Sequence, residues 1–196
     1  MENKVKKFDA GNIIAIVIGT VIIISINAWS DMGGPIKGLW VIQACSAFVV
    51  VISAIYGMAA GLLMPIAACL IYGVVMNEPI LINEAVFLSI GGMITGHYSD
   101  RFMVNSGEFN GMRLIDYAVI ETIIAIITWV CLYPLVNLYF NDADLGFSLL
   151  DGVKYCGMCI FAKIFLCLPV LLLFNMFFKK KRMVDDARKE YLYERK

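Results

Sequence analysis

Three ionisable side chains lie within runs of apolar residues. Lys163 stands alone in FAKIFLCLPVLLLFNMFF, Glu121 in YAVIETIIAII and Glu84 in ILINEAVFL. A charge at the centre of a bilayer costs about 2.5–3.5 kcal/mol or more unless it is paired, so each is a functional candidate by default. Lys163 lies about eleven residues into its run, roughly 16 Å from one end at a helical rise of about 1.5 Å per residue. That is near the midplane. Glu121 lies eight residues into the preceding run. Two consecutive antiparallel helices can bring these groups together. Lys163 then has two uses: it pairs with Glu121 and locks two helices, or it offers charge and hydrogen bonds to a ligand in an outward-facing cavity. Snorkelling to the interface is the remaining option. Glu84 is expected four residues inside the outer end of its helix, shallow enough to be wet, at the mouth of such a cavity.

Other chemistry is thinly represented. Cys156 and Cys159 form a C-x-x-C, but no second C-x-x-C or nearby histidine completes a zinc set. The six cysteines, Cys45, Cys69, Cys131, Cys156, Cys159 and Cys167, all fall in apolar runs and read as small buried hydrophobes. There is one histidine, His97, no Gly-x-Ser-x-Gly elbow and no Walker A loop. The sequence gives no reason to expect an enzyme, a cofactor or a metal.

The elements that must position these charges are membrane helices. Of 196 residues, 61% are hydrophobic and 16% charged, against about 25% charged in soluble domains. Mean hydropathy is +0.81. The formal net charge of zero gives no hint of nucleic-acid binding. A span needs about 20 apolar residues. Six segments qualify: about 12–29, 39–55, 58–76, 80–98, 113–138 and 152–178. The opening MENKVKKFDAGN resembles a signal-peptide start, but its run is long enough to span and is taken as the first helix. Tyr56 and Gly57 alone separate the second and third segments, which predicts a tight helical hairpin. Pro65 and Pro169 are expected to kink their helices.

Basic residues set the orientation. Lys4, Lys6, Lys7, Arg101, Arg113, Lys179, Lys180, Lys181 and Arg182, with four more in the tail, fall on one side; Lys37 and Lys154 fall on the other. The expected fold is therefore an all-α polytopic membrane protein with six transmembrane helices and both termini cytoplasmic. One membrane domain covers 1–182 and a charged tail covers 183–196. Outer loops are expected at 30–38, 77–79 and 139–152, with Trp29, Trp40, Tyr139 and Phe140 beside them as an anchoring belt. In the first helix Gly11, Ala15 and Gly19 recur every four residues and make a groove for close helix approach. Gly57, Gly61, Gly91, Gly92 and Gly96 suit internal packing.

This pattern resembles the substrate-binding S components of energy-coupling factor (ECF) vitamin transporters, closest to an uncharacterised branch. The resemblance spans about residues 10 to 182. It is carried by AGNIIAIVIGTVIIISI, AIYGMAAGLLMPIAACLIYG, SIGGMITGHYSDRF and FAKIFLCLPVLLLFNMFFKKKR. It implies a subunit of an ECF-type ABC importer in the cell membrane, capturing a vitamin or related micronutrient at the outer face. Its partners would be membrane lipid, the ECF T component and two ATPase subunits. The 30–38 loop would be the lid. Glu84, Tyr139, Tyr155, Cys159 and Lys163 would line the cavity, joined by Trp29 and Trp40. Gly11, Ala15 and Gly19 would dock the T component. The competing readings are a stand-alone proton-coupled carrier that uses Glu121 and Lys163 as a relay, and an accessory membrane scaffold.

Overall fold

The computed structural model describes residues 10–33, 39–76, 82–140 and 144–193, so the expected 77–79 loop and most of the 30–38 lid lie outside the described residues. The described structure is all-helical, without strands. In chain order the elements are α1 (Ala10–Asp31), α2 (Leu39–Tyr56), α3 (Met58–Met76), α4 (Ile82–His97) and the short α5 (Ser99–Phe102). A 3-10 turn (Val104–Ser106) follows. Two long composite helices complete the chain: α6 (Gly111–Ala125) runs through a π turn, π1 (Ile126–Leu132), into α7 (Tyr133–Phe140); α8 (Leu145–Ala162) runs through π2 (Lys163–Cys167) into α9 (Leu168–Tyr193).

Four stretches are long and apolar enough to cross a membrane: Ala10–Asp31, Met58–Met76, Gly111–Tyr139 and Leu145–Asp186. Of the other two expected spans, Trp40–Tyr56 is apolar but shorter, and the described part of α4 has 16 residues.

The hairpin expected between the second and third segments is there. Gly57 takes φ +92°, a conformation that glycine adopts without a Cβ penalty, and its N–H donates to the Ser53 carbonyl. The same glycine lies against Gly96 and Ser99 at the far end of α4. One turn along, the backbones of Gly61 and Gly92 meet, and a Cβ on either would collide with the other. Small residues thus let α3 and α4 touch backbone to backbone. At the other end of the bundle Tyr72 of α3 donates to the Asp31 carboxylate of α1.

The prolines differ in their surroundings. α3 continues as one helix through Pro65. Pro169 is preceded by a π turn, and so is Pro134, which carried no expectation. A proline ring cannot accept the carbonyl four residues back and brings no N–H. The chain instead closes i→i−5 bonds just ahead of each ring. Tyr133 N–H donates to Thr128 O, and Leu168 N–H donates to Lys163 O.

Two loop expectations need correction. Residues 30 and 31 belong to α1. Residues 145–152 are helix, because Asp144 caps it: its Oδ1 accepts from Gly146 N at 2.8 Å and Phe147 N at 3.2 Å. At the other end α9 runs unbroken from the apolar run into the charged tail. The connection from α4 to α6 is fastened to α9. Phe109 N–H donates to Asn175 Oδ1 at 2.7 Å. Gly107, at φ +72°, sits against the Lys179 backbone. Glu108 accepts from Arg113 at 2.9 Å and Arg182 at 3.0 Å.

Three apolar clusters hold the bundle. One joins α1, α2, α3 and α4 around Ile23, Cys45, Val49 and Met64. A second packs Phe102, Phe109, Tyr117 and Leu171 at the end fastened to α9. The third, around Phe87, Trp129, Cys156 and Cys159, lies beside the charges.

Candidate functional site

Lys163 and Glu121 meet. Nζ lies 2.7 Å from Oε2, and the two side chains are 4% and 3% exposed. Thr95 of α4 adds a third partner: its hydroxyl is 2.5 Å from Glu121 Oε1. The same hydroxyl is 2.9 Å from the Gly91 carbonyl. With one proton to give, it makes the stronger bond to the carboxylate. A buried pair has a large desolvation cost that its attraction only offsets, yet removing one partner costs about 3–5 kcal/mol because the other charge is stranded.

The π turns place this pair. Lys163 is the first residue of π2, and its own carbonyl receives the π bond. Thr128 does the same in π1, seven residues after Glu121 on the composite helix. Beside the pair is a small void of about 10 Å³, room for about one water. Ser46, Phe87, Gly91, Thr128, Trp129 and Lys163 are among its walls. Thr128 Oγ1 is buried without a hydrogen-bond partner among the described residues. The Lys163 ammonium carries three donors, and Glu121 Oε2 lies 2.7 Å from its nitrogen. The void is therefore a place for an oxygen acceptor, not for an apolar group.

An aromatic cluster continues from it. Phe87 and Trp129 line the void, and Trp129 stacks on Tyr155 with centroids 5.1 Å apart and planes 13° apart. Tyr133 packs against Tyr155 at 5.0 Å. Further buried polar groups lie elsewhere in the bundle. Gln43 is 1% exposed, and neither amide atom has a partner among the described residues. Glu84 is 9% exposed, with Oε1 likewise unpartnered, and Asn27 and Cys45 lie beside its carboxyl.

Of the residues expected from sequence, Lys163 and Glu121 are in contact, and Tyr155 and Cys159 share the adjoining aromatic cluster. Glu84 is buried, not wet, because α1 and α2 close over it. Trp29, Trp40 and Tyr139 are exposed and line no interior site. The side chain of Phe140 lies outside the described residues. On α1, Gly11 is half-buried, while Ala15 and Gly19 are buried within the chain itself. A Cβ on Gly19 would strike Met64 and Ile52, so this groove is filled by α3 and α2. The exposed side of α1 is Ile13, Ile14, Val17, Ile18 and Val21.

Sequence reasoning missed Thr95, Thr128, Trp129, Ser46, Gln43 and Asn27. Gln43 and Asn27 carried a legible signal, an amide inside an apolar run. The hydroxyls and Trp129 carried none, since such residues are ordinary in membrane helices. The six cysteines are free. No three His, Cys, Asp or Glu side chains converge as a metal site among the described residues. No family model matches the chain, and neither a curated protein nor a solved structure does.

Proposed function

We propose that the chain is the substrate-capturing membrane subunit, the S component, of an ECF-type importer, and that it takes up a vitamin or related micronutrient. On this reading all six apolar segments cross the membrane, both termini are cytoplasmic, and the chain itself performs no chemistry. The observation that carries it is the set of buried polar atoms without a hydrogen-bond partner among the described residues, on Gln43, Glu84 and Thr128, in an otherwise apolar bundle. Buried polar atoms are nearly always hydrogen-bonded. A helical bundle that leaves several of them unpaired among its described residues is suited to a ligand that completes those it reaches, and the aromatic cluster of Phe87, Trp129, Tyr133 and Tyr155 lies beside Thr128. The resemblance in element order and in the Lys163 segment supports the same reading. ATP binding and hydrolysis on the partner subunits would drive reorientation, and this chain would supply selective affinity.

An accessory scaffold is favoured by one specific observation: the Lys163–Glu121 pair is closed and the void beside it is far smaller than a ligand pocket. Native mass spectrometry of the chain gently purified from its native membrane separates the two. Co-purification of T-component and ATPase masses with a retained small molecule is the expected result, and Lys163→Ala then loses the small molecule while keeping the partners. A bare chain, under conditions that preserve a control complex, favours the scaffold.

A further inference from the structure

We propose that the Glu121–Lys163 pair is a latch, hinged on π1 and π2, that holds the void between α2, α4, π1 and π2 closed. The inference stands apart from what the chain transports. π2 begins at Lys163 itself, and π1 begins five residues after Glu121 on the other composite helix. In each, the carbonyl that takes the i→i−5 bond belongs to a residue of the void wall, Thr128 or Lys163. Single π turns inside α-helices are frequent at functional sites. Conversion of either to α geometry moves the register of the following helix by one residue, about 100° of rotation at about 3.6 residues per turn. With Lys163 held by Glu121, and Glu121 held in turn by Thr95, the start of π2 is pinned to α6 and α4 and cannot move from them without separating two buried charges. Once the pair parts, no other ion pair among the described residues joins α6 to the composite helix of Lys163. The void then widens among groups that water can solvate: the Ser46 and Thr128 hydroxyls and the Lys163 ammonium.

The other half of the bundle lacks such a hinge. α1 to α4 contain no π turn, and α3 and α4 are fixed backbone to backbone at Gly61 and Gly92. The chain therefore carries its own reporters. Cys159, one turn before Lys163, and Cys167, at the end of π2, are buried beside the latch; Cys45 and Cys69 are buried in the fixed half; Cys131 is exposed. The test is site-resolved N-ethylmaleimide labelling of the full chain in phosphatidylcholine liposomes, read by mass spectrometry. In the wild type Cys159 and Cys167 stay protected. In Glu121→Gln and in Lys163→Met, Cys159 labels at least about tenfold faster, while Cys45 and Cys69 stay protected. Pro169→Ala, which relieves the constraint behind π2 and leaves the pair intact, keeps Cys159 protected, whereas added to Lys163→Met it changes the rate at which Cys159 labels. Wild-type labelling of Cys159 overturns the latch. So does continued protection in both single variants, or exposure of Cys45 and Cys69 in step with Cys159, which marks general loosening. Cys159 that labels in Pro169→Ala alone overturns the latch, and an unchanged rate when Pro169→Ala is added to Lys163→Met overturns the hinge.

Discussion

At the scale of single residues, the question is what a buried ion pair contributes. Lys163 and Glu121 are in direct contact at 2.7 Å and nearly sealed from solvent. Losing either partner strands the other, so Glu121→Gln and Lys163→Met are each expected to cost about 3–5 kcal/mol. The double variant Glu121→Leu/Lys163→Met replaces both charges with apolar groups and should regain most of that loss. Unfolding in mixed micelles, taken round the full cycle, measures the coupling. Losses that simply add would mean that the two groups do not depend on each other. The charges were legible in the sequence because an ionisable residue stands out in an apolar run. Their contact was legible as one of the open alternatives, since consecutive helices must be antiparallel neighbours. Thr95 was not legible, because a threonine in a membrane helix costs little and its direction depends on packing around α4.

Helix elements were legible where composition changes sharply. The α3 bounds match the apolar run, and the α2–α3 turn follows from Gly57. They were illegible where a local contact overrides composition, as at Asp144, which starts α8 inside an expected loop. Pro134 carried no expectation although its span was taken on to about 138, because residue types alone do not mark a π turn. The glycines differ more than their spacing suggests. Gly61→Ala and Gly92→Ala each push a methyl into a facing backbone, and should cost about 1–3 kcal/mol by overpacking. Gly91→Ala meets only Ile124, at 3.7 Å, and should be tolerated. Thermal stability in detergent ranks the three. The loop before α6 gives a pH test. Hydrogen bonds from Arg113 first, then Arg182, hold the Glu108 carboxyl below the usual carboxylate range. A depressed carboxyl favours the docked loop above its ordinary range and ceases to do so as pH falls through its lowered value. Amide exchange of residues 104–110 should thus accelerate, relative to the intrinsic rate, on acidification. Glu108→Gln should show the faster exchange already at neutral pH, with little further change.

For the whole molecule, the number of crossings decides how the two halves work together. Length and composition alone mark four helices as spans. At about 1.5 Å per residue, the 18 residues of α2 cover roughly 27 Å, close to the hydrocarbon thickness of about 30 Å. The contacts place one end of α2 beside one end of α4. The Gly57 turn lies against Gly96 and Ser99, and the Asn105 amide donates to the Ile55 carbonyl, so α2 and α4 finish at one common end. Asp31 and Tyr72 meet at the opposite end, where α1 and α3 finish. On the six-crossing reading, α1 to α4 cross together. Introduced cysteines at the exposed positions Met32, Tyr56 and Lys180 read this directly with a membrane-impermeant maleimide on intact cells. With six crossings and cytoplasmic termini, Met32→Cys labels at once, and Tyr56→Cys and Lys180→Cys label only after permeabilisation. If α2 and α4 do not cross, Tyr56→Cys labels together with Met32→Cys. The Gly57 turn would then face outward with Met32, and the buried pair would no longer sit at the midplane of a six-helix bundle.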